Sequence, residues 1–137
     1  MTGEPITGPG QAGPNILIVD DSAIMRTMIK RVAALAGTPL GTIFEAANGR
    51  EALTILEQHP VQFVFTDLAM PVMTGTELLR EMQARDQWRG IVRVVITTDG
   101  SDSRRHEADG LSVSVYVEKP FRPEEMRDVL TSLTTAR

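Results

Sequence analysis

The chain has 137 residues, 14 basic and 18 acidic side chains and no cysteine. That length suits one domain around one core, and the lack of cysteine excludes disulfide staples and thiolate metal sites. An acidic balance with a pI near 5.2 argues against direct binding to nucleic acid or to an anionic membrane, both of which need a basic surface, so partners are expected to be proteins or small anions. No apolar run approaches the roughly 20 residues that span a bilayer. The N-terminus has neither the charged start nor the apolar stretch of a signal peptide, and a cytoplasmic setting is expected.

Residues 1–14 carry Gly3, Pro5, Gly8, Pro9, Gly10, Gly13 and Pro14 with almost nothing apolar. Such a stretch cannot offset the entropy of ordering, so it is read as a flexible leader, with the folded domain expected over 15–137. The apolar run ILIV (16–19) then predicts a strand, and Ile24, Met25, Met28, Ile29, Val32 and Leu35 at helical spacing predict the helix after it. The same alternation recurs. LGTIFEA (40–46) precedes a helix carrying Ala52, Leu53, Ile55 and Leu56, and VQFVFT (61–66) precedes one carrying Leu78, Leu79 and Met82. IVRVVIT (91–97) and VSVYV (113–117) supply a fourth and fifth strand. The last helix carries Met126, Val129, Leu130 and Leu133 and opens on Pro123, where a missing N–H costs little. Alternating strands and helices imply an α/β fold with a doubly wound parallel sheet covered on both faces.

In open sheets of this kind ligands sit beyond the carboxyl ends of the strands. Asp20 and Asp21 follow ILIV, Asp67 follows VFT, Thr97 ends VVIT and Lys119 follows VYVE, so one edge gathers them all. Three clustered carboxylates repel one another, and a hard divalent cation is the usual remedy, Mg²⁺ being the natural choice. A carboxylate can also attack a phosphoryl group to form an aspartyl phosphate, with the metal, a lysine and a hydroxyl such as that of Thr97 neutralising the transferred oxygens. Each residue has a plainer alternative. Asp20-Asp21 can be a turn with Asp21 or Ser22 capping the next helix, Asp67 a strand-end turn residue, and Thr97-Thr98 simple β-formers. Lys119 is less easily dismissed, because the chain has only two lysines and a point charge on a flexible stem suits phosphate. Pro120 after it makes a cis bond an option.

The stretches ILIVDDSAIMR, VFTDLAMPVMTG, VVITT and YVEKPF, in that order, resemble the motifs of response-regulator receiver domains of two-component signalling, the opening being most like the chemotaxis branch. The resemblance covers about Asn15 to Leu133. It implies a flavodoxin-like sheet in the order 2-1-3-4-5, Asp67 as phosphoacceptor, and Mg²⁺ held by Asp20, Asp21, Asp67 and the main-chain carbonyl of Ala69. Thr97 and Lys119 are implied to contact the phosphoryl oxygens, and Tyr116 matches the aromatic switch position that follows the threonine hydroxyl. The implied partners are a histidine kinase or phosphotransfer protein and a downstream protein target, and a dimer linked to phosphorylation is among the options.

Some positions depart from the family pattern. Thr98 stands where a small residue is usual and borders the approach to the site, and Ala69 with Asp99 makes an unfamiliar pair at the positions that tune phosphate lifetime. Between the fourth and fifth strands, TDGSDSRRHEADGLSVSV puts Arg104, Arg105 and His106 where a fourth helix needs apolar residues, so that helix is expected to be short, mobile or missing, and either ordered only on phosphorylation or partner binding or a plain solvated loop. His106 is read as a surface residue. With no output domain recognisable after Leu133, the leading reading is a phosphorylation-controlled switch. The alternatives are a phosphate relay or sink without dedicated output, and a phosphorylation-independent interaction module. A metabolic enzyme is disfavoured, since no nucleophile–base pair or Gly-rich phosphate loop is visible.

Overall fold

The computed structural model describes residues 13–35, 39–98 and 106–135. Five parallel strands, β1 (Ile16–Val19), β2 (Ile43–Ala46), β3 (Phe63–Thr66), β4 (Val92–Thr97) and β5 (Val113–Glu118), form one sheet in the order β2-β1-β3-β4-β5. Helices α1 (Ala23–Leu35), α2 (Gly49–Gln58), α3 (Gly75–Ala84) and α5 (Pro123–Thr135) connect or follow the strands, with a 3₁₀ turn over Asp86–Trp88. The fourth helix, α4, is present, and its described residues are 106–107. The part of this segment on which its length and mobility depend, residues 99–105, lies outside the described residues, as do Asp99, Arg104, Arg105 and residues 1–12 of the expected leader.

Alternation along each strand sorts the core into two layers. Leu17 and Val19 of β1, Val64 of β3 and Val95 of β4 face α2 and α3, where Ala52, Leu56, Leu78, Leu79 and Met82 cover them. Ile16, Ile18, Phe63, Phe65, Val94 and Ile96 point the other way, onto Ile29, Val32 and Ala33 of α1 and Met126 and Leu130 of α5. Both faces of β1 and β3 are therefore dry, which is why their sequences read as unbroken apolar runs. Each fully buried large side chain contributes about 1.5–3 kcal/mol.

Local signals set the helix starts. The Asn48 side chain accepts from the Glu51 N–H at α2, and Thr74 with Glu77 forms a reciprocal capping box at α3. Pro123 is the first residue of α5, as the sequence predicts. The register Ile16↔Ile43 and Ile16↔Phe63 puts β1 at the centre of the order reversal, and the crevice at such a switch point is where these sheets bind ligands.

Candidate functional site

The carboxyl ends of β1, β3, β4 and β5 converge above that crevice. Asp20, only 2 % exposed, is held from three sides. Its N–H donates to the Ala46 carbonyl at 3.1 Å, its Oδ1 accepts from the Ser22 N–H at 2.9 Å, and its carbonyl accepts from Arg26 Nη1 at 2.7 Å. Ser22 caps α1, accepting from the Met25 N–H at 3.2 Å. Asp21 is exposed. One carboxylate oxygen each from Asp20, Asp21 and Asp67 lies within 4.8 Å of the others.

Asp67 is 7 % exposed. Its N–H donates to the Val19 carbonyl at 3.1 Å, its carbonyl accepts from the Thr66 hydroxyl at 2.8 Å, and its Oδ1 accepts from the Ala69 N–H at 3.2 Å. The loop after it folds back tightly. A Cβ added at Gly75 would stand 1.8 Å from the Asp67 carbonyl oxygen, so glycine is required where α3 begins.

Lys119 closes the site. Its Nζ lies 2.7 Å from Asp20 Oδ2 and 2.9 Å from Asp67 Oδ2, its N–H donates to the Thr97 carbonyl at 2.8 Å, and its bond to Pro120 is cis. Burial pulls the ammonium pKa down, but the hydrogen bonds and charges of Asp20 and Asp67 outweigh it and hold it above the usual lysine value. Three carboxylates against one ammonium leave the cluster negative. Its donors are hard oxygens, the chemistry that fits Mg²⁺.

Thr97 is buried at the end of β4, whereas Thr98 and Ala69 are exposed beside the site. Tyr116 pairs with Val95 across the sheet and packs half-buried against the core layer under α2 and α3. His106 is an exposed residue whose Nδ1 lies 3.1 Å from an Asp109 carboxylate oxygen, away from the acidic cluster. The supporting roles of Arg26, Thr66 and Gly75 were not read from the sequence. Arg26 and Gly75 sit inside recognisable motifs, but what they support is a main-chain carbonyl, which no residue pattern displays.

The sequence pattern of the response regulator receiver domain family matches residues 16–131. The chain belongs to that family. Receiver domains of this family are signalling modules rather than metabolic enzymes. This receiver domain is 32 % identical over 116 residues to a chemotaxis protein CheY homolog of Campylobacter jejuni, covering 84 % of this chain and 88 % of that one. It is 31 % identical over 122 residues to chemotaxis protein CheY of Thermotoga maritima, covering 89 % and 98 % respectively. The solved structure of Vibrio cholerae CheY4 superposes with a TM-score of 0.79 at 30 % identity, covering 88 % of this chain and 98 % of that one. The receiver (REC) domain of AraT, a response regulator from Geobacillus stearothermophilus, gives a TM-score of 0.80 at 32 % identity, covering 90 % and 94 %. Among the described residues no helix is long and apolar enough to cross a membrane.

Proposed function

We propose that this receiver domain is a phosphorylation-dependent response regulator whose phosphoacceptor is Asp67. The observation that carries the reading is the bridge of Lys119 between Asp20 and Asp67, with Asp21 completing the acidic cluster. In this reading the Asp67 carboxylate attacks the phosphorus of a phosphohistidine on a histidine kinase or phosphotransfer protein. A P–O bond forms, the P–N bond breaks and the imidazole nitrogen leaves with a proton. Lys119 then gives up Asp67, keeps Asp20 and takes a transferred oxygen, while the Thr97 hydroxyl donates to another. The chemistry that Mg²⁺ supplies when bound is neutralisation of charge on those oxygens, and Asp20, Asp21, Asp67 and the Ala69 carbonyl are the residues to hold it.

Drawing Thr97 toward the phosphoryl group opens space beside Tyr116, and the surface around α4 and β5 changes for a downstream protein target. In this reading the chain works in the cytoplasm, where a phosphodonor kinase and a protein target would meet it. The test is Mg²⁺-dependent phosphorylation by acetyl phosphate, read by intact mass. The wild type is expected to gain one phosphoryl group and Asp67→Asn none. The reading is abandoned if the wild type takes none under any divalent-metal condition, or if Asp67→Asn is modified equally.

A further inference from the structure

At the amino ends of the strands, the far end of the sheet from Asp67, a depression of about 280 Å³ opens between the end of α2 and the 3₁₀ turn. Leu56, Val61, Trp88 and Ile91, all buried, give it an apolar floor. Its walls are held in place from outside. The Trp88 carbonyl accepts from Arg93 Nη2 at 2.8 Å, and the Arg85 guanidinium lies 4.6 Å from the centre of the Trp88 ring. His59, which also lines the depression, stacks on Phe44 with ring centres 4.6 Å apart. The Pro60 carbonyl accepts from Asn15 Nδ2 at 2.8 Å, and Gln62 Oε1 from the Asn15 N–H at 2.7 Å. A pocket fixed in this way loses little freedom when a ligand enters.

The polar groups around that floor are idle. Gln62 uses its Oε1, but its side-chain NH₂ has no hydrogen-bond partner among the described residues, and neither do the Gln87 amide and the ring nitrogens of His59. No carboxylate, lysine or arginine lines the depression, so a charged ligand group would lose its hydration without a counter-charge. The ligand that fits is neutral. A primary amide presents a donor and an acceptor side by side, and its bidentate match is a ring nitrogen next to an exocyclic amino group, the edge that glutamine reads on adenine. The Gln62 NH₂ supplies a donor for a second ring nitrogen. The volume, just under the roughly 300 Å³ at which drug-sized sites begin, limits the ligand to one or two rings.

We propose that this depression binds a purine base of the adenine type, with its rings on the apolar floor and its amino edge on the Gln87 amide. The site stands apart from the acidic cluster and does not require the phosphoryl reading. Trp88 is the only tryptophan of the chain, so its fluorescence reports on this site alone. The full chain is titrated with adenine and with 6-methylpurine, which keeps the rings and lacks the amino group, and the amides of ¹⁵N-labelled protein are followed in parallel. The expected result is a saturable fluorescence change, shifts centred on Gln62, Gln87 and Trp88, and adenine binding roughly tenfold tighter than 6-methylpurine. Gln87→Leu, at an exposed position, should unfold close to the wild-type temperature and bring the two ligands to equal affinity. Adenosine monophosphate, run alongside, separates the sources of such a base: affinity equal to that of adenine assigns the nucleotide pool, and exclusion assigns the free base, each with the base site intact. No binding, shifts on another surface, equal affinity for adenine and 6-methylpurine in the wild type, or discrimination that survives Gln87→Leu would overturn the proposal.

Discussion

Lys119 and Arg93 are both cations withdrawn from water, and they are held in opposite ways. Lys119 sits at the carboxyl end of the sheet on two carboxylates, Asp20 and Asp67. Arg93, within β4, is fully buried. Its Nη1 donates to Gln83 Oε1 at 2.8 Å and to the Leu111 carbonyl at 2.9 Å, and its Nη2 to the Trp88 carbonyl at 2.8 Å. Its Nε has no hydrogen-bond partner, no described carboxylate pairs with it, and burial pulls its pKa down. An ammonium resting on carboxylates can exchange one anion for another with little reorganisation, because charge balance survives the trade. A guanidinium resting on main-chain carbonyls has nothing to exchange. The first arrangement is suited to chemistry, and the second ties α3, the 3₁₀ turn and the foot of β5 into one block.

Removing each cation should separate the two roles. Arg93→Ala is expected to have the largest effect, about 4 kcal/mol by chemical denaturation, from the cavity and the carbonyls stripped of a donor. The surviving folded fraction should still accept phosphate from acetyl phosphate, and Mg²⁺ should not restore the loss. Gly75→Ala comes next at about 3 kcal/mol, because its methyl group meets main chain rather than a flexible side chain. Since that main chain belongs to Asp67, loading should fall as well. Lys119→Met should cost about 2 kcal/mol in chelator-treated buffer, where two carboxylates lose their cation. Unlike the arginine variant, it should recover most of that in millimolar Mg²⁺, as thermal unfolding with and without the metal would show.

The smallest effect belongs to the half-exposed clasp at Glu45. The Lys30 hydrogen bond first, then Arg26, outweigh burial and hold this carboxyl below its ordinary value. A depressed acid stabilises fully above its unfolded value, near 4.3, and the benefit is lost as pH falls through the lower folded value. Glu45→Gln should therefore cost about 0.5 kcal/mol at neutral pH, and the gap between variant and wild type in a pH series of urea unfolding should close in acid.

The same contrast explains what could be read in advance. Asp20, Asp67 and Lys119 each directly follow the last residue of a strand, and a parallel sheet sends all such positions to one edge, so strand order brings them together. The layers were visible for a similar reason, in Ile16 to Val19 and Phe63 to Thr66. Arg93 was not, because one charge inside IVRVVIT reads as part of a strand, and its acceptors come from Gln83, Trp88 and Leu111, which only the folded chain brings together. Strand starts were also read early. The runs beginning at Leu40 and Val61 enter the sheet only at Ile43 and Phe63, since β-forming residues there are spent on connections held by the Asn15 and Gln62 side chains. Ser22 and Asp21 competed for the cap of α1, and only the observed hydrogen bond to Met25 gives it to Ser22.

Reductive trapping tests the assignment of Asp67 most directly. Sodium borohydride converts an aspartyl phosphate to homoserine, so the chain would be loaded with acetyl phosphate and Mg²⁺, reduced, digested and sequenced by mass spectrometry. The expected result is homoserine at position 67 and at no other aspartate. Homoserine at position 20 or 21, or none despite phosphate uptake, would contradict the assignment of Asp67 as the acceptor.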